Sequence, residues 1–202
     1  MRSLPLCALV ALFPVTAHAD FGRAMIDPNT VDEPCRALVM VPGDARSLEP
    51  AVAADLSAAS CLATTRTRAL SLVPGPQAVQ QLNEAIQPSL SILDAVIATG
   101  DTRSQILAEH AKADLLSGTA VRLMALAPPL HRPVTANSLA RYQDYVDELD
   151  QLAQPWRQRA TTAFAEVQRL NGDDPDAASA DPVVAQAVED QRAERTTGVA
   201  RR

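Results

Sequence analysis

His110 and Asp114 stand one helical turn apart, the spacing at which a carboxylate orients an imidazole for proton transfer. Only three histidines occur in the chain, His18, His110 and His131, too few for the usual zinc sets without remote carboxylates. Asp144, Asp147, Glu148 and Asp150 concentrate acid over two turns and would offer oxygen ligands to a divalent cation. Helical spacing scatters them over different faces, however, which is the pattern of a solvated acidic surface. Trp156 beside Pro155 would line a pocket if a kink opened space between helices. The signatures of turnover are missing: there is no G-x-S-x-G, no glycine-rich phosphate loop, no C-x-x-C-H and no H-E-x-x-H. We therefore expect no catalytic residue, no metal and no cofactor. His110 with Asp114 reads as a helix-surface pair or a partly buried, satisfied histidine, and Trp156 as core.

The elements that would position these residues begin after a different kind of segment. Arg2 supplies a positive charge, Leu4 to Val15 form a mostly apolar run, and Ala17-His18-Ala19 places small residues where signal peptidase reads them. The run is short of the roughly 20 residues a spanning helix needs. Residues 1–19 thus read as a cleavable signal, with cleavage between Ala19 and Asp20, and Cys7 as part of the discarded piece. Cleavage leaves Cys35 and Cys61, an even number in an oxidising compartment and too far apart for a C-x-x-C redox pair. A structural disulfide follows.

Charge limits the partners. The full chain has 18 basic and 24 acidic residues and a net charge of −6; the signal carries away one arginine and no acid, so the mature chain stands at −7. Nucleic acid and anionic lipid both demand a basic face, and neither is expected as a partner. The basic set is almost all arginine, with Lys112 the only lysine. Together with abundant alanine this composition points to a GC-rich bacterial genome, and export from such a cell to the periplasm or into the medium.

Periodicity predicts an all-α fold, a bundle of four or five helices. Thr30-Val31-Asp32-Glu33 has capping-box form and would open a short helix carrying Cys35 and ending at Pro42-Gly43. Ser47 would cap the next helix, with Val52, Leu56 and Ala59 on one stripe beside Cys61. After the break at Pro74-Gly75-Pro76, residues 77–99 repeat apolar side chains every three or four positions, with Pro88 expected to kink the helix. Gly100-Asp101 reads as a left-handed glycine followed by an N-cap, a connection short enough to force an antiparallel hairpin with a helix over 102–127. That partner is apolar over most of its circumference and should be central.

The strongest pattern runs over about 137–170. Leu139, Tyr142, Val146, Leu149, Ala153, Trp156, Ala160, Ala163, Val167 and Leu170 alternate steps of three and four without interruption. One long helix, kinked at Pro155 and capped by Gly172, is the reading. Residues 20–172 would form the bundle, and 173–202 an acidic linker and a loosely docked or mobile C-terminal helix or tail.

A long patterned helix without catalytic groups fits binding better than turnover. The leading expectation is a non-enzymatic interaction protein of the cell envelope, an adaptor, chaperone-like or inhibitory partner, acting on another protein or on itself and not inserted in a membrane. The alternative is a small-ligand-binding bundle with its pocket near Trp156 and the proline kinks. Candidate contact residues under either reading are Tyr142, Tyr145 and Trp156. A lyase or hydrolase working through His110 and carboxylates ranks last.

Overall fold

The computed structural model describes residue 35 and residues 50–128, 135–174 and 185–189. Helix is the only regular structure among these described residues. The elements are α1 (Pro50–Arg68), α2 (Pro76–Thr99), α3 (Thr102–Met124) and α4 (Ala136–Asp173), with a further helical piece at residues 185–189. The expected capping box at Thr30, the helix stop at Pro42-Gly43, Ser47, the signal segment and His131 lie outside the described residues.

Proline opens both of the first two helices, where its missing N–H has no intrahelical role. The buried side of α1 is built mainly of small residues, Ala53, Ala54, Ala58, Ala59 and Ala63 around Leu62, so its backbone approaches α2 closely. Ala59 meets Leu93 and Val96 of α2 and Ala108 of α3 in one cluster. The α2–α3 hairpin forms as expected, although its glycine works differently. Gly100 is extended (φ −74°, ψ 162°), not left-handed. What it supplies is space: a Cβ there would come within 2.7 Å of both Ser104 Cβ and the Val96 carbonyl oxygen. Asp101 then caps α3, its Oδ1 accepting from the Ser104 amide at 2.8 Å. Lys112 crosses the hairpin to Asp94, Nζ to Oδ1 2.7 Å.

Helix α3 packs on α1, α2 and α4, the central place its apolar circumference predicts, and its most extensive partner is α4. It stops at Met124 rather than 127, because the chain tightens into i→i+3 bonds from the Leu126 and Ala127 amides to the Leu123 and Met124 carbonyls. The main core joins Leu82, Ile86 and Leu90 of α2, Leu116 and Leu123 of α3, and Leu149 and Trp156 of α4. Pro88 and Pro155 both lie inside continuous helices.

Helix α4 begins one residue earlier than its stripe indicates and ends later. Thr135 and Ser138 cap each other, the Ser138 amide to Thr135 Oγ1 at 3.1 Å and the Thr135 amide to Ser138 Oγ at 2.8 Å. At the other end the helix passes through Gly172, which is therefore not its cap; nothing crowds that glycine, and Arg169 pairs with Glu166 behind it and Asp173 ahead, spanning the last turn. Val188 is buried with Ile106, Val167 and Leu170, so residues 185–189 sit against the α3–α4 pair.

Cys35 and Cys61 are disulfide-bonded, Cα to Cα 5.6 Å, and Cys35 is buried against Ala58 and Leu62. The bridge holds Cys35 against α1, with Ile92 of α2 packed on the same cluster.

Candidate functional site

The two ends of α4 have different surroundings. Its C-terminal stripe, Leu149, Ala153, Trp156, Ala160, Ala163, Val167 and Leu170, is buried without exception. Its N-terminal stripe is not: Leu139 is 40% exposed, and Tyr142 and Val146 are only half-buried. The reason is length. At 38 residues α4 spans about 57 Å, against about 35 Å for the 23 residues of α3, so one end must overhang. Pairing is antiparallel, with Ile106 beside Val167 and Leu170, and the overhang is therefore the N-terminal end of α4.

At the root of this overhang Tyr145 packs on the main core and points its hydroxyl toward the Leu126 carbonyl, 3.5 Å away. Burial, and then the neighbouring Glu148 carboxylate, push its phenol up from the usual value. The acids singled out in the sequence flank the same end: Asp144, Asp147, Glu148 and Asp150 are all exposed, and Asp150 is engaged by Arg157. An apolar strip with acidic borders thus leaves the bundle, formed by Leu139, Tyr142 and Val146.

Trp156 lies elsewhere. It is 3% exposed, and its indole N–H donates to Asn83 Oδ1 at 2.8 Å, a bond that satisfies the only polar atom of a core side chain. Two clefts lie between α1 and α3, and a third, of about 590 Å³, is lined by α1 alone; Trp156 lines none of the three. One of about 280 Å³ is lined by Thr64, Thr67 and Arg68 of α1 and by Asp114, Gly118, Thr119 and Arg122 of α3. A second of about 230 Å³ continues it past Ser60, Ala111 and Leu93. No pattern in the sequence joins Arg68 to Arg122, because they meet only through the packing of two helices.

His110 and Asp114 form the expected pair, Nδ1 to Oδ2 3.3 Å, and the imidazole stands edge-on to Phe164 of α4 with ring centroids 6.1 Å apart. The neighbouring Glu109 is buried. Loss of solvation raises the Glu109 pKa, Lys112 partly offsets this, and Glu166 and Asp94 add to it. Among the described residues no three His, Cys, Asp or Glu side chains group as a metal site, and no helix is long and apolar enough to cross a membrane. The cleavage position Ala19–Asp20 falls outside the described residues.

Comparison with known proteins returns nothing to which this geometry can be referred: no family model matches the chain, and neither do curated proteins or solved structures.

Proposed function

We propose that the chain is an exported, non-enzymatic interaction protein of the cell envelope that captures a partner protein on the N-terminal end of α4. The observation that carries this reading is the change in burial along one unbroken stripe: Leu149 to Leu170 is core, whereas Leu139, Tyr142 and Val146 continue in phase outside it. Apolar side chains kept at core spacing with little to cover them are what helix-on-helix recognition uses, as anchors three and four residues apart. The exposed acids beside them favour a partner helix with basic borders and disfavour a second copy of a chain whose own net charge is −6.

Export rests on the signal pattern of residues 1–19 and on the Cys35–Cys61 bridge, which an oxidising compartment would preserve. Amino-terminal sequencing of the protein from an exporting host should start at Asp20; a start at Met1 would refute the signal reading. For the interaction, Leu139→Asp and Tyr142→Asp in the full chain should retain the wild-type helix content and melting temperature while losing the envelope proteins captured by the wild type. Capture that persists in both variants would move the contact away from this face.

A further inference from the structure

We infer that the α1–α3 cleft is a binding site for a small oxyanion, a phosphate or carboxylate group held by Arg68 and Arg122, distinct from the protein-contact face on α4. Both guanidinium-bearing side chains line the same cleft of about 280 Å³. Neither has an ion-pair partner among the described residues, and the Arg122 Nε is buried without a hydrogen-bond partner there. A buried, unpaired donor on a permanent cation is costly, and an oxyanion is the group that best satisfies it, since the planar guanidinium fork matches two oxygens at once.

Of the three threonines that line the cleft, Thr64, Thr67 and Thr119, two have their hydroxyl protons committed to backbone. Thr67 donates its hydroxyl proton to the Ala63 carbonyl at 2.7 Å and Thr119 donates to the Leu115 carbonyl at 2.7 Å, so both hydroxyl protons are already used. Asp114, the one carboxylate lining the cleft, is two turns of α3 before Arg122, about 12 Å along the axis, and is engaged by His110. It does not neutralise Arg122.

Each arginine also ends a helix, in the last turns of α1 and α3, where a cation complements the helix dipole. That role needs neither a shared cleft nor a buried donor, and it makes a different prediction. Gly118 provides the means to separate the two. It lines the cleft, and a Cβ placed on it would meet nothing within 4 Å, so a larger side chain there fills the ligand space and leaves both cations in place.

The test is an amide chemical-shift titration of the full chain with inorganic phosphate and, separately, with succinate, at fixed ionic strength set by sodium chloride. Wild type should show saturable shifts centred on Thr64, Arg68, Gly118 and Arg122 with at least one of the two anions. Phosphate alone would assign a phosphoryl ligand, succinate alone a carboxylate, and either supports the site. Arg68→Gln and Arg122→Gln should each weaken binding about tenfold or more, Gly118→Leu should abolish it, and Arg159→Gln, an exposed arginine on α4, should leave it unchanged. Should Arg122→Gln fail to fold, Gly118→Leu decides. Absence of saturable shifts in wild type, or binding unaffected by Gly118→Leu, overturns the inference.

Discussion

The two halves of α4 share one apolar period, one helix and one chain, yet they do opposite things. From Leu149 to Leu170 every stripe position is buried, and from Leu139 to Val146 none is. Sequence period reports that a helix has an apolar face; what covers that face is decided by the length of its neighbours. Helix α3 runs out at Met124, and α4 continues past it. The buried half is therefore a matter of stability, and the exposed half is free to serve recognition.

Truncation separates the halves most sharply. Trp156→Ala should cost about 3 to 5 kcal/mol and Leu149→Ala about 2 to 5, because each leaves a cavity that three packed helices only partly close. Trp156→Ala also leaves Asn83 without its indole donor. Chemical denaturation checks both, and a loss under about 1 kcal/mol in each would erase the distinction between the halves.

Reduction of the Cys35–Cys61 bridge comes next. The bridge closes a loop across a sequence separation of 26 and in the chain-entropy picture stabilises by about 3 to 4 kcal/mol. For a domain of this size a loss of about 3 kcal/mol lowers the melting temperature by roughly 6 to 12 °C. Because the bridge lies on α1, which is not in contact with α4, partner capture below the new melting point should persist. Capture lost on reduction at a temperature where the bundle stays folded would tie the contact to α1 and break the assignment to α4.

Much of this architecture can be read from the residues, and the exceptions have physical reasons. The hairpin at Gly100-Asp101, the central α3 and the uninterrupted α4 all follow from period and capping. Gly100 was expected for its φ and is needed for its missing side chain, a demand set by Ser104 and Val96 after the helices close up. Gly172 reads as a stop, but Arg169 with its two acidic partners holds the helix one residue further. The start of α4 escapes notice because Ser138 stands where a capping box usually has Glu or Gln. Of the candidate site residues, Tyr142 and Tyr145 share the overhang and Trp156 does not, a division that requires knowing where α3 ends. Arg68 and Arg122 carry no signal in the sequence.

Glu109 brings an electrostatic cost to the side of α3 that faces the buried half of α4. Its folded pKa is raised, chiefly by burial, so between the unfolded and folded values the folded chain holds more protons, and stability falls as pH rises through that window. Above it the penalty is fully present. Glu109→Gln should consequently stabilise the protein at neutral pH, show progressively less gain as pH drops through that window, and show none below the ordinary carboxylate value. Melting curves across that range test the sign: a variant less stable than wild type at neutral pH would mean that the Glu109 carboxylate contributes more through Lys112 than it loses by burial.

The smallest effect on stability is expected where the effect on recognition should be largest. Leu139 is 40% exposed and Tyr142 half-buried, so cutting either to alanine removes little buried area and should change stability by no more than about 0.5 kcal/mol. At an interface the same side chains would become buried, and a central aromatic anchor there is worth about 2 kcal/mol or more in binding, near thirtyfold in affinity. The acidic neighbours Asp144, Asp147 and Glu148 add a second handle. If they steer a basic partner, raising salt should slow association, and Asp147→Asn should reduce that salt dependence without altering the melting temperature. Comparing Tyr142→Ala with Asp147→Asn by association and dissociation rates then splits the contact into its two parts. Tyr142 should act on dissociation and Asp147 on association. A loss of several kcal/mol of stability in Tyr142→Ala would instead show that the overhang is core after all, and that the stripe of α4 has one role from end to end.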